Sequence, residues 1–314
     1  MRAVIADRFG GPEVLEIREI PIPSVSEGQL RVQVHASGVN PVDATNLMDG
    51  TWPRLSPPFI LGYEASGVVE ELGFGVTNFA IGDEVMVQLD VRGTLLGTNA
   101  EYVVTDATTV VAKPGLLGHI EAAGLPLAGG TAYAIVERLD VQPGEWLLIH
   151  GAAGGVGTFL VQLAVDRGAR VVGVASRPRH ALLQELGVEI CIDYQRGDSI
   201  AATRAALGDR LDAVADLVGG DLLSRSLSLL RPYGRACTIA AFRGDFDLAI
   251  DNNVTLHGVL FQPNREVLAA LSSLVGARRL RPVVDAVFPM EEARRAHERL
   301  ASGHGQGKVI LQVR

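Results

Sequence analysis

Residues 145–157 read Glu-Trp-Leu-Leu-Ile-His-Gly-Ala-Ala-Gly-Gly-Val-Gly. The apolar run from Trp146 to His150 follows the turn signal Pro143-Gly144 and predicts a buried parallel strand. Glycines come next at 151, 154, 155 and 157. Residues 159–165 then have the length and apolar density of a helix packed on a sheet, stopping near Gly168 as a C-cap. Residues 169–175 form a second apolar strand. Strand, glycine turn, helix and strand make one βαβ unit, a frame that fixes a parallel sheet and a right-handed crossover. Such a turn aims backbone N–H groups from a helix N-terminus, which suits a diphosphate. Gly151, Gly154, Gly155, Val156 and Gly157 are therefore candidate cofactor-binding residues. The spacing is Gly-x-x-Gly-x-x-Gly, and a tight turn that binds nothing is the competing reading. The flanking strand and helix favour a dinucleotide.

The same rhythm continues downstream. Residues 189–193, 211–218, 235–240 and 254–261 are further strand candidates, joined by helix-length connections. Six such strands predict an α/β, doubly wound parallel sheet. Upstream the chain changes character. Residues 30–36 alternate polar and apolar, and 65–72, 83–89, 100–105 and 109–112 also read as strands. Gly73, Gly75, Gly82, Gly93, Gly97 and Pro114 punctuate them, which predicts a small, mostly antiparallel barrel or sandwich. Residues 47–58, with Trp52 and three prolines, read as a surface loop. A helical region over 120–139 is offset at Pro126, and the chain closes with helices at 265–276 and 290–301 and a strand at 307–313.

A length of 314 residues suits two domains, and the net charge of −8 argues against nucleic acid or an anionic membrane as the main partner. The first seven residues lack a signal-peptide core, and no apolar stretch approaches a membrane span. Cys191 and Cys237 sit far apart in apolar runs, which predicts neither disulfide nor metal and fits a cytoplasmic location.

Several phrases together resemble the zinc-free quinone oxidoreductase (zeta-crystallin-like) branch of the medium-chain dehydrogenase/reductase superfamily. They are residues 36–43 (Ala-Ser-Gly-Val-Asn-Pro-Val-Asp), 62–69 (Gly-Tyr-Glu-Ala-Ser-Gly-Val-Val), 80–85 (Ala-Ile-Gly-Asp-Glu-Val) and 130–133 (Gly-Thr-Ala-Tyr). With them go the glycine turn, residues 216–220 (Asp-Leu-Val-Gly-Gly) and residues 307–311 (Gly-Lys-Val-Ile-Leu). The resemblance spans nearly the whole chain. It implies a discontinuous GroES-like catalytic domain (1–125 and 263–314), a Rossmann dinucleotide-binding domain (126–262), an active site in the cleft, and a homodimer paired through the last Rossmann strand.

Zinc-dependent alcohol dehydrogenases of this superfamily hold their catalytic metal with a cysteine and a histidine in the first two phrases. Asn40 and Tyr63 stand there instead, and Glu64 alone cannot make a site that takes three protein ligands. No metal is expected. The resemblance implies Tyr63 as the hydrogen-bond donor to a substrate carbonyl, Asn40 as an amide donor to substrate or cofactor, and Thr131 beside the nicotinamide. A core tyrosine, an Asn-Pro turn and a helix cap are the respective structural alternatives.

At the end of the second Rossmann strand, NAD enzymes carry an acid for the ribose 2′-OH. Here the chain reads Val174-Ala-Ser-Arg-Pro-Arg179, so Ser176 and Arg177 suit a 2′-phosphate instead, and NADPH is the expected cofactor. Tyr194 matches a family position near the adenosine phosphate, and Gly219, Phe242 and Phe261 fall at strand ends facing the cofactor. The expected reaction is hydride transfer from NADPH to a quinone or an activated α,β-unsaturated carbonyl. The alternatives are an enoyl reductase of 2-enals or enoyl thioesters, and an NADPH-binding protein without catalysis. Arg54, the one basic residue within 47–58, argues against a thioester carrier.

Overall fold

The computed structural model describes every residue except 50–54, 93–95 and 209–210. Trp52 and Arg54 of the expected 47–58 loop, and Gly93, lie outside the described residues. The packing forms two compact units, one made of residues 1–130 and 262–314 and the other of residues 131–261. The strands, in chain order, are β1 (Arg2–Ala6), β2 (Leu15–Glu19), β3 (Gln29–Val39), β4 (Phe59–Ile60), β5 (Glu64–Leu72), β6 (Glu84–Gln88), β7 (Tyr102–Asp106) and β8 (Val110–Ala112). There follow β9 (Trp146–His150), β10 (Arg170–Val174), β11 (Ile190–Ile192), β12 (Leu211–Asp216), β13 (Leu230–Thr238), β14 (Thr255–Gly258), β15 (Val284–Pro289) and β16 (Lys308–Gln312). The helices that matter below are α1 (Pro41–Asp49), α2 (His119–Ala123), α3 (Pro126–Leu139) and α4 (Gly155–Asp166).

The discontinuous unit is built on β3. Its residues alternate between buried and half-buried as the sequence pattern requires, and it pairs antiparallel with β5, β7 and β16. The resulting sheet runs β15-β16-β3-β5-β6-β8, with β7 beside β3. A smaller sheet, β2-β1-β4, contributes Val4, Ala6, Leu15 and Phe59 to the same core. The core gathers Leu30, Val32, Val34, Phe59, Tyr63, Val85 and Val87 with Met290, Ala293 and Ala296 of the C-terminal helical segment.

In the continuous unit the sheet runs β11-β10-β9-β12-β13-β14, every neighbour parallel. The registers His150↔Val174, His150↔Asp216 and Val174↔Ile192 bring the carboxyl ends of four strands level. The chain leaves β9 for β10 on one side and returns to β12 on the other. The strand order therefore reverses beside β9, where open α/β sheets bind ligands.

Five elements were not expected. β2 exposes four of its five residues, and three of those are charged, so it lacks an alternating apolar signal. α1 was hidden by Asn40-Pro41, which reads as a turn but also starts a helix with proline at its first position. α1 continues to Asp49 with Leu47 buried, so the expected loop cannot begin at residue 47. β1, β4 and β15 are short strands: β1 pairs antiparallel with β2 and with the two-residue β4, and β15 pairs parallel with β16. β13 begins at Leu230 rather than 235, because Pro232 and Gly234 mask its irregular start. β14 ends at Gly258 rather than 261.

Candidate functional site

The glycine turn after β9 is shaped by close approach. Gly151 has φ +75°, a conformation that favours glycine. A Cβ on Gly157 would fall 2.3 Å from the Gly151 carbonyl oxygen and 2.5 Å from that of Ala152. Only glycine lets the first turn of α4 settle onto the loop. Gly154 caps that helix without a side chain, so the opening N–H groups receive no side-chain acceptor. Gly155 and Val156, the first two residues of α4, are half-exposed beside it. Uncapped N–H groups and the positive end of the helix dipole together make an anion site. This cradle fits a dinucleotide diphosphate.

Ser176, half-buried, precedes a short turn over Arg177–Arg179, with Arg177 exposed. Tyr194 is 47 % exposed two residues beyond β11. After β12, the buried Asp216 accepts the N–H groups of Val218 and Gly219 through Oδ1, both at 2.9 Å, which fixes a turn with Gly219 at φ +95°. Phe242 is half-exposed and stands edge-on to Phe246. Gly151, Ser176, Tyr194, Gly219, Phe242 and the buried Phe261 thus each follow the carboxyl end of a successive strand of one sheet. Thr131 is different: it lies buried within α3.

His150 ends β9 and is buried. Its Nε2 lies 2.9 Å from Ser226 Oγ. Ser226 donates its own proton to the Leu222 carbonyl at 2.7 Å, so the imidazole N–H is the donor to Ser226. Burial pushes this histidine down to about 4, and the ring is neutral at physiological pH.

The discontinuous unit holds a second polar group, buried under β3, β5 and β16. Tyr63 is 0 % exposed within the hydrophobic core, and the Asn46 amide donates to its phenol oxygen at 2.6 Å. Asn46 Oδ1 has no partner, so the reversed amide, accepting the phenol proton, satisfies the pair equally well. Burial, and after it the Asp43 carboxylate, hold the phenol well above its ordinary range. Asp43 accepts the backbone N–H of Asn40 at 2.7 Å and that of Gly62 at 2.9 Å. The first contact is a capping-box geometry that closes the start of α1. Burial nevertheless pushes Asp43 up to about 7.

Asn40 is 5 % exposed, and both ends of its amide are engaged. Nδ2 donates to Glu64 Oε1 at 2.9 Å and to the Gly38 carbonyl at 3.3 Å, while Oδ1 accepts from Lys308 Nζ. Asn40 and Tyr63 therefore stand in one buried group, tied to protein partners. Sequence reasoning gave no role to Asn46 or Lys308. A lysine opening an apolar strand, Lys-Val-Ile-Leu, was the available signal for the second. Among the described residues, no three His, Cys, Asp or Glu side chains gather as a metal site.

Two family models match the chain: an alcohol dehydrogenase GroES-like domain over residues 26–115 and a zinc-binding dehydrogenase domain over residues 186–311. The chain is 32 % identical to the human quinone oxidoreductase, over 99 % of its own length and 97 % of the relative's. It is 29 % identical to an NADPH-dependent alkenal/one oxidoreductase of Arabidopsis thaliana, over 99 % and 79 % of the two chains. The structure of a quinone oxidoreductase from Coxiella burnetii superposes with a TM-score of 0.92 at 36 % identity, covering 100 % of this chain and 99 % of that one.

Proposed function

The chain belongs to the quinone oxidoreductase (zeta-crystallin-like) branch of the medium-chain dehydrogenase/reductase superfamily, and from that premise we propose that it is a zinc-independent, NADPH-dependent reductase of quinones and activated α,β-unsaturated carbonyls. It is an oxidoreductase, as its relatives are. NADPH supplies a hydride from nicotinamide C4 when bound.

The observation that carries the reading is the donor set at Asn40, Tyr63 and Glu64. A catalytic zinc site takes three protein ligands with free lone pairs. Here the Asn40 oxygen accepts from an ammonium, the Tyr63 oxygen is held by Asn46 in the core, and Glu64 is paired with Lys308. These residues do not fit zinc. Alcohol oxidation depends on an alkoxide that a Lewis acid stabilises. An acceptor whose conjugation spreads the developing charge needs only hydrogen-bond donors. Quinones and alkenals are acceptors of that kind, and two relatives are named for them.

The N–H groups at Gly155, Val156 and Gly157 would hold the diphosphate, with Gly151 turning the chain and the Gly154 N–H closing that turn on the Gly151 carbonyl. Ser176 and Arg177 would hold the 2′-phosphate by charge-assisted hydrogen bonds, since no acid stands at the end of β10. Tyr194, Gly219, Phe242 and Phe261 would line the cofactor, and Thr131 would flank the nicotinamide. We assign the Asn40 amide to bridging Gly38, Glu64 and Lys308, and the substrate proton to water rather than to the buried Tyr63 phenol. Among the described residues the outer edge of β14 has no partner strand, which supports a homodimer formed by pairing two such edges. Among the described residues no helix is long and apolar enough to cross a membrane, and the free thiols of Cys191 and Cys237 suit a reducing cytoplasm.

NADPH oxidation is followed by absorbance against a quinone panel and an enone panel, with and without chelator. Chelator-insensitive turnover of either panel is expected. Tight NADPH binding without turnover, or loss of turnover on chelation, would overturn the proposal.

A further inference from the structure

Lysine is almost never fully buried unless paired, yet Lys308 is 3 % exposed at the start of β16. Its Nζ lies 2.7 Å from Glu64 Oε1 and 3.3 Å from the Val39 carbonyl, and it also donates to Asn40 Oδ1. An ammonium has three protons, and three oxygens meet them. Glu64 is 0 % exposed. Beyond Lys308 and Asn40 it accepts the backbone N–H of Leu127 at 2.8 Å, where a carboxylate complements the N-terminus of α3.

The backbone has cleared space for both charges. A Cβ on Gly38 would stand 2.5 Å from Glu64 Oε1 and 2.8 Å from the Ala123 carbonyl. One on Gly124 would stand 3.1 Å from both Cβ and Cγ of Lys308. The carboxylate thus needs glycine at 38, and Gly124 leaves room for the lysine stem, as a built feature of the fold would.

We propose that Lys308 is a positioning residue, a cation carried by the chain itself that holds the oxygens of Val39, Asn40 and Glu64 in the two phrases where zinc-dependent relatives keep their metal ligands. The ammonium fixes the Asn40 amide, and with it the start of α1. Glu64 fixes the start of α3. The relevance of this to turnover rests on the metal-free reading above. The electrostatic claim does not.

The test compares wild type with Lys308→Met, which keeps the stem and removes the charge, and with Lys308→Met/Glu64→Gln, which removes both charges. Thermal melting is recorded from pH 5 to pH 8, and NADPH oxidation is measured at each pH. At pH 8 the single variant is expected to melt about 10 °C below wild type, because one buried charge is left unpaired. That deficit should shrink toward pH 5, since protonation relieves an unpaired Glu64 carboxylate. The double variant should recover most of the loss and lack that pH slope.

Asp43, on α1, is the other titratable group coupled to this pair. Both variants lack Lys308, so comparing them with each other isolates Glu64. In the single variant kcat/KM should fall about tenfold at pH 8 and recover with the melting temperature as the pH falls. If Lys308→Met does not fold while the double variant does, the proposal is supported in its strongest form. It is overturned if Lys308→Met melts with wild type at every pH. Equal, pH-independent losses in both variants, or failure of both to fold, would assign Lys308 to packing and overturn it too. Chelator-sensitive turnover by wild type would sink the metal-free reading while leaving these melting curves to be judged separately.

Discussion

Tyr63→Phe deletes one oxygen from a site with no access to solvent. The phenol oxygen is 2.6 Å from Asn46 Nδ2, both residues are 0 % exposed, and Asn46 Oδ1 already lacks a partner. The substitution therefore leaves the whole Asn46 carboxamide unpaired in an apolar core. An orphaned buried polar group costs about 1–3 kcal/mol. In a unit of this size each kcal/mol lowers the melting temperature by about 2–4 °C, so a fall of about 2–12 °C is expected. Tyr63→Phe/Asn46→Leu removes both partners and should recover much of that loss. Turnover per folded molecule should stay within about twofold of wild type, since the phenol donates to no substrate in this reading. Differential scanning fluorimetry and steady-state NADPH oxidation on the same preparations separate the outcomes. An unchanged melting temperature with kcat lowered about a hundredfold would refute the reasoning and return Tyr63 to the chemistry.

Gly157→Ala places a methyl group 2.3 Å from the Gly151 carbonyl, so α4 must lift from the turn. NADPH affinity, read by fluorescence titration, should fall at least tenfold, and the melting temperature should fall with it. Arg177→Ala should raise the KM for NADPH about tenfold and leave that for NADH unchanged, as expected for one charge-assisted contact of about 1.5 kcal/mol. His297 is 1 % exposed with neither ring nitrogen partnered, and burial pushes it down to about 4. The unfolded chain binds a proton that the fold refuses, so the stability is whole above about pH 6.5 and declines toward pH 4, by about 3 kcal/mol. His297→Leu should therefore melt higher than wild type at pH 5 and nearly with it at pH 8.

What could be read from the sequence depended on how local its cause was. The strand, turn and helix at 146–166 follow from contiguous residues, and the glycine spacing states its own geometry. The α/β character and the alternation in β3 were legible for the same reason. α1 was not, because Asn40-Pro41 serves equally as a turn and as a cap with proline at the first helical position, and only Asp43 closing back on Asn40 decides between them. Asn40 and Tyr63 could be singled out as unusual at their positions. Which way each side chain faces depends on Glu64, Asn46 and Lys308, and Lys308 lies 244 residues from Glu64. A lysine at the head of an apolar strand announces a buried charge without naming its partner.

The two polar groups of this chain answer different demands with different physics. A dinucleotide must arrive and leave, so its cradle uses fixed backbone dipoles. Gly154 contributes no side chain to compete for the N–H groups of α4, and no acid follows β10 to repel a phosphate. Inside the discontinuous unit the charge must stay. There the carboxylate of Glu64 meets an ammonium fixed covalently in β16, and its second oxygen is taken by a helix N-terminus. A dissociable cation at that place would couple the fold to the supply of metal, and a buried carboxylate without one would be driven to take up a proton. Lys308 removes both dependences, at the cost of requiring glycine at 38 and leaving little room at 124. Gly38→Ala should accordingly be more damaging than the added methyl alone suggests, because it displaces the carboxylate on which Asn40, Leu127 and Lys308 all converge.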